Sequence, residues 1–172
     1  MNNFRKIKIK ELSEINPEIL RESIDVNLRF KYIDLSSIND QRIKLKNNLI
    51  SFGALPSRAR RKVKKDDVLL GTVRPNLKNF ALVDSTDSNL VCSTGFAVLR
   101  SKEGKSDPSF LFHLINSDFV GKQLQKLVAG SNYPAVTAND VSELLVFAPP
   151  LLEQKKIAEI LSEIDQLLKN IN

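Results

Sequence analysis

The sequence predicts an α+β fold, a curved and largely antiparallel sheet with short helices and a protruding C-terminal amphipathic helix. Three observations carry that expectation. The first hundred residues break into short alternating or β-branched runs separated by turn formers, apolar residues recur at helical spacing after Asp107, and the last twenty-two residues form one amphipathic repeat.

Taken in order, "RKIKIKEL" and "FKYIDLSSI" alternate polar and apolar positions, and "DDVLLGTV", "NFALVDS" and "LVCSTGFAVLRS" are rich in β-branched and aromatic residues. Each reads as strand. Past "SDPSF", Phe110, Leu111, Leu114 and Ile115, and then Leu124, Leu127 and Val128, fall at helical spacing. Two short helices fit, with Ser117 capping the second and Gly130 stopping it. "VSELLVFAPP" returns to strand and is closed by its double proline. In "LLEQKKIAEILSEIDQLLKNIN", Ile157, Ile160, Ile164, Leu167 and Ile171 mark a heptad seam that Leu161 and Leu168 widen. A lone helix of this length is marginal in water, so it needs a surface, either a partner's or its own domain's.

With 172 residues and 42% hydrophobic content the chain can bury a core. No stretch is apolar enough to span a membrane, and the first twenty residues lack the apolar centre of a signal peptide, so a soluble, cytoplasmic protein is expected. The net charge of +6 is polarised: residues 1–65 carry 16 Lys+Arg against 7 Asp+Glu, and residues 66–172 carry 10 against 13. That asymmetry suits a polyanion at one end, nucleic acid first and an anionic membrane surface second. Its densest part is "PSRARRKVKKDDVLLGTVRP", where Arg58, Arg60, Arg61, Lys62, Lys64 and Lys65 precede an apolar run.

Catalytic patterns are missing. The six glycines are never closer than nine residues, which removes phosphate-cradling loops and nucleophile elbows. Cys92 and His113 stand alone in their kinds, too few for a zinc site. Cys92 reads as a buried, inert thiol, and His113 as a packed or half-exposed side chain. The carboxylates of "KKDD" and "SEIDQ" read as a strand entry and a solvated helix face. No catalytic residue and no metal site is assigned.

"LPSRARRKVKKDDVLLGTVRPNLKNFALV", "STGFAVLRS", "GSNYPAVTANDVSELLVFAPP" and "PPLLEQKKIAEILSEIDQLL" together resemble the specificity subunit of type I restriction-modification enzymes, in a half-length form. The resemblance covers roughly Tyr32 to Leu168, and the closing block is its most specific part. It implies a target recognition domain over residues 1–148 that reads half of a bipartite site in double-stranded DNA. Residues 149–172 would then be a helix for dimerisation and docking of the methyltransferase subunit. The chain would be non-catalytic and hold no cofactor; S-adenosylmethionine, ATP and magnesium would belong to the methyltransferase and restriction subunits. The usual subunit has two such domains and two such helices, so one of each implies a homodimer or pairing with another half.

By the same resemblance "SRARRKVKK" is a DNA-facing loop held in register by the strand after it. Arg58, Arg60 and Arg61 suit phosphates or guanine, and Lys62, Lys64 and Lys65 the backbone; a solvated charge run is the alternative. Arg74, Asn76 and Lys78 extend the surface if they share a face, or else form a simple hairpin turn. Tyr133 either reaches a base or is buried beside its proline. Ile157, Ile160, Leu161, Ile164, Leu167 and Leu168 are the interface candidates. A stand-alone nucleic-acid-binding or scaffolding protein and a divergent small nuclease or methyltransferase remain alternatives.

Overall fold

The computed structural model describes residues 4–130 and 132–171, with side chains through Leu168. The chain runs β1 (Arg5–Lys8), α1 (Ile9–Leu12), β2 (Ser13–Ile15), β3 (Arg29–Ile33), β4 (Ile38–Asn39), β5 (Arg42–Ile43), β6 (Ile50–Ser51), β7 (Ala59–Val63), β8 (Val68–Gly71), β9 (Phe80–Leu82), β10 (Leu90–Ser93) and β11 (Phe96–Ser101). It continues through α2 (Pro108–Asn116), α3 (Asp118–Val128), α4 (Ala138–Glu143), β12 (Leu145–Ala148) and α5 (Leu151–Ile171).

The α+β class is as predicted, but the strands divide rather than forming one curved sheet. One four-stranded sheet has the order β6-β3-β10-β7 and a second the order β2-β11-β8-β9. All pairings in them are antiparallel except β3 with β10. Two-stranded ribbons join β1 to β12 and β4 to β5. The apparent single run "LVCSTGFAVLRS" is two strands, turned at Thr94–Gly95 so that β10 and β11 lie in different sheets.

Alternation along β8 and β11 explains why these segments read as unbroken apolar runs. Leu69 and Val98 are paired across the ladder and enter a core shared with Ile33, Val63, Leu90 and Cys92 of the other sheet. Their neighbours Val68, Leu70, Ala97 and Leu99 enter a second core beneath the helices, with Phe80, Leu111, Ile115 and Leu124. Both faces of the central sheet are therefore covered, which removes the polar half of the usual strand pattern. A third, smaller cluster of Leu20, Phe30, Phe52, Ala59 and Val91 covers the outer face of the first sheet. Gly71 ends β8 where β9 comes closest, since a Cβ there would lie 2.8 Å from the Asn79 carbonyl oxygen.

The helix signals at 108–130 resolve as predicted. Asp107 caps α2 by accepting from the Phe110 N–H at 2.9 Å, Ser117 caps α3, and Gly130 (φ +78°) follows its end in the left-handed region. The strand reading of "VSELLVFAPP" needs correction, because Val141–Glu143 are helical and only Leu145–Ala148 is strand. A capping box starts that short helix, with Thr137 and Asp140 each satisfying the other's backbone N–H.

α5 docks on α2 through a face that differs from its predicted seam. Gln154 and Ala158 are buried, and Ser162 and Asp165 sit 3.2 and 3.9 Å from the two ring nitrogens of His113, which is mostly buried. The Gln154 side chain accepts from the Asp107 N–H and donates to the Lys105 and Pro149 carbonyls at 3.0 and 2.9 Å, so it fastens the helix base to the α2 entrance. The seam itself stays outside. Ile160 (58%), Ile164 (45%), Leu167 (62%) and Leu168 (56%) are exposed, Leu161 is at the margin of exposure, and only Ile157 packs partly on the core. Ile171 lies outside the described side chains.

Candidate nucleic-acid interface

The basic segment is a strand. Ala59–Val63 form β7, an edge of the first sheet, and the outer side of that edge is covered by the extended segment at residues 18–20: Lys62 N–H donates to the Glu18 carbonyl and Leu20 N–H to the Arg60 carbonyl. The loop reading of "SRARRKVKK" is thereby corrected. Strand geometry sends neighbouring side chains to opposite faces, so six charges close in sequence cannot form one patch.

Each charge has its own surroundings. Arg60 lies over the Phe52 ring, 5.3 Å from its centre. Arg61 stands opposite Cys92 on the inward side; burial disfavours its charge, and its Nη1 is buried without a hydrogen-bond partner. Lys62 pairs with Glu18 at 3.4 Å. Lys64 and Lys65 are exposed on the turn into β8, and Arg58 is exposed at the opposite end of the strand, roughly 20 Å away at about 3.3 Å per residue.

At the Arg58 end, backbone hydrogen bonds join four segments in series. Thr94 N–H donates to the Arg58 carbonyl (2.8 Å), Thr72 N–H to Gly95 (2.8 Å), Val136 N–H to Thr72 (3.0 Å) and Arg74 N–H to Pro134 (2.7 Å). A bridge between Val73 and Ala135 completes the strip. Arg58, Arg74 and Tyr133, far apart in sequence, thus share one end of the sheet pair. Tyr133 is 69% exposed, which corrects the buried alternative.

"RPNLK" does not present a common face. Pro75–Leu77 form one 3-10 turn joining β8 to β9, flanked by Arg74 (φ +48°) and Lys78 (φ +49°), both in the left-handed region. That conformation costs a residue bearing a Cβ about 1 kcal/mol. Arg74 and Asn76 are exposed, while Lys78 turns back, donating to the Asn116 carbonyl at 3.1 Å with Asp118 at 3.8 Å. Lys78 closes the α2–α3 corner instead of extending the outer surface. Beside Arg58, an open cleft of about 320 Å³ is lined by Tyr32, Asp34, Leu35, Ser36 and Ser93.

Sequence reasoning missed the ion cluster at the opposite end of the two sheets, where β7 turns into β8. Asp67, in a segment read as a plain strand entry, is fully buried and takes a two-pronged ion pair from Arg100, with both contacts at 2.8 Å. Arg100 also reaches Glu18. Its charge is favoured chiefly by the Asp67 hydrogen bonds, and the Arg100 hydrogen bond holds the Glu18 carboxyl below its ordinary range. Among the described residues, no group of His, Cys, Asp or Glu is arranged to hold a metal ion, and no helix is long and apolar enough to cross a membrane.

Comparison with known proteins places this geometry in context. A family model described as the type I restriction modification DNA specificity domain matches residues 1–172. The type I restriction enzyme HindI specificity subunit of Haemophilus influenzae is 28% identical over 147 residues, which make up 84% of this chain and 29% of that protein. The MjaVIII specificity subunit of Methanocaldococcus jannaschii is 27% identical over an alignment of 185 positions that covers 97% of this chain and 43% of that protein. The crystal structure of the HsdS subunit from Thermoanaerobacter tengcongensis superimposes with a TM-score of 0.87 at 35% identity, covering 99% of this chain and 44% of that one. The chain therefore spans less than half the length of each.

Proposed function

The chain belongs to the family of type I restriction-modification DNA specificity domains, and from that premise we propose that it reads one half of a bipartite duplex site, with the Arg58–Arg74–Tyr133 end facing the DNA. One observation supports this choice above the others: the hydrogen-bonded strip gathers two exposed arginines and an exposed tyrosine on a rigid frame. Phosphate contacts by such cations fix register, and base-edge contacts give sequence preference. In this reading the chain is not itself catalytic. Methyl transfer with S-adenosylmethionine, and cleavage needing ATP and magnesium, belong to methyltransferase and restriction subunits in the cytoplasm.

The test removes equal charge from opposite ends. Arg58→Ala with Arg74→Ala should weaken duplex binding about tenfold or more, whereas Lys64→Ala with Lys65→Ala should change it much less at the same ionic strength. Equal losses would make the charge a general attraction and remove the proposed end from the interface.

Assembly follows from α5. Its docked face is complete without the seam, so the exposed Ile160, Ile164, Leu167 and Leu168 suit a second helix, from another copy or from another half-subunit, and the methyltransferase subunit.

A further inference from the structure

We infer that Arg74 is the side chain through which this chain distinguishes one base pair, by donating both prongs of its guanidinium to O6 and N7 of a guanine in the major groove. The inference rests on the DNA reading above and narrows it to one contact.

Arg60 is placed over a ring, Arg61 is turned inward, Lys62 is on Glu18, and Lys78 is on Asn116 and Asp118. Lys64 and Lys65 sit at the far end of β7. Arg58 lines a cleft that Asp34 also lines. Arg74 is exposed, and its guanidinium makes no hydrogen bond or ion pair among the described residues.

Its backbone, by contrast, is held at both groups. The N–H donates to Pro134 at 2.7 Å, the carbonyl accepts from Leu77 at 2.9 Å, and the next residue, Pro75, is buried. The left-handed conformation at Arg74 is one that glycine adopts without steric cost. Lys78, in the same conformation, returns an evident structural contact through its side chain; Arg74 returns none within the fold. A costly backbone position whose side chain the fold does not use is the pattern of a functional residue. A fixed root and a planar fork also suit bidentate base reading, which tolerates little displacement, more than phosphate attraction, which tolerates much. Tyr133, across the Val73–Ala135 bridge, is placed to wall the same contact.

The experiment is selection from a randomised duplex library by the full 172-residue chain, as wild type, Arg74→Gly and Arg74→Lys, with thermal unfolding of each. The wild type should enrich a motif containing a fixed G·C pair. Both variants should lose the preference at that pair and keep the rest. Affinity for the wild-type motif should fall about tenfold or more, and affinity for unrelated duplex much less. Arg74→Gly should unfold no lower than the wild type, since glycine relieves the backbone. Retention of the same fixed pair by both variants overturns the inference and leaves the DNA reading intact. A substantially lower unfolding temperature for Arg74→Gly overturns it too, by giving the side chain a structural role. Failure of the wild type to enrich any motif overturns the DNA reading itself, and the inference with it.

Discussion

Asp67 shows how much of this fold rests on a few buried polar residues. Its carboxylate is out of water and accepts from Arg100 and from the Lys64 N–H, fixing the turn between the two sheets. Removing one member of a buried pair strands the other, so Asp67→Ala should cost about 3 kcal/mol. For a chain of this size that is a drop of roughly 10 °C in thermal unfolding. Glu18 adds a pH dependence. Its folded pKa is depressed, chiefly by the Arg100 hydrogen bond, so its stabilisation is present above the ordinary carboxylate range and is lost as pH falls through the lower folded value. Melting temperature against pH should accordingly fall less steeply on the acid side in Glu18→Gln than in the wild type. Cys92, whose burial pushes its thiol up to about 12, should resist a thiol reagent at neutral pH and react fully in denaturant. Fast labelling of the native chain would place Cys92 outside the core.

Among the elements, α5 is two surfaces on one helix of about 32 Å. Gln154 secures its base with three hydrogen bonds, and truncating it to alanine leaves the Asp107 N–H and the Lys105 and Pro149 carbonyls unpaired. A loss of about 1–3 kcal/mol is expected, with hydrogen exchange accelerating first in the opening turns of α5. The outer seam should behave independently of that anchor. Ile160→Asp with Ile164→Asp should leave the recognition domain folded, because neither side chain is buried within its own chain, yet abolish self-association in light scattering. A wild type that remains monomeric at high concentration, together with a modified site that is not an inverted repeat, overturns the pairing of two copies and favours a different half-subunit.

At the scale of the whole molecule, symmetry links assembly to DNA. Two copies joined through antiparallel α5 helices would present two identical recognition ends, so the modified site should be an inverted repeat with half-sites about one duplex turn apart. Mapping methylated adenines in cells that carry this chain with the proposed methyltransferase subunit checks this; an asymmetric site favours an unequal pair. The sequence by itself determined the α+β class, the helices at 108–128, the amphipathic character of α5 and the basic asymmetry, because periodicity, caps and composition are local properties. It left the fate of each charge open. Whether Arg61 turned inward, Lys78 closed a helix corner or Arg74 faced solvent depended on which strands became neighbours. The division into two sheets, and the meeting of Arg58, Arg74 and Tyr133, were likewise decided only in the tertiary structure, because they depend on hydrogen bonds between segments some twenty to sixty residues apart, and no local pattern in the chain encodes such a contact.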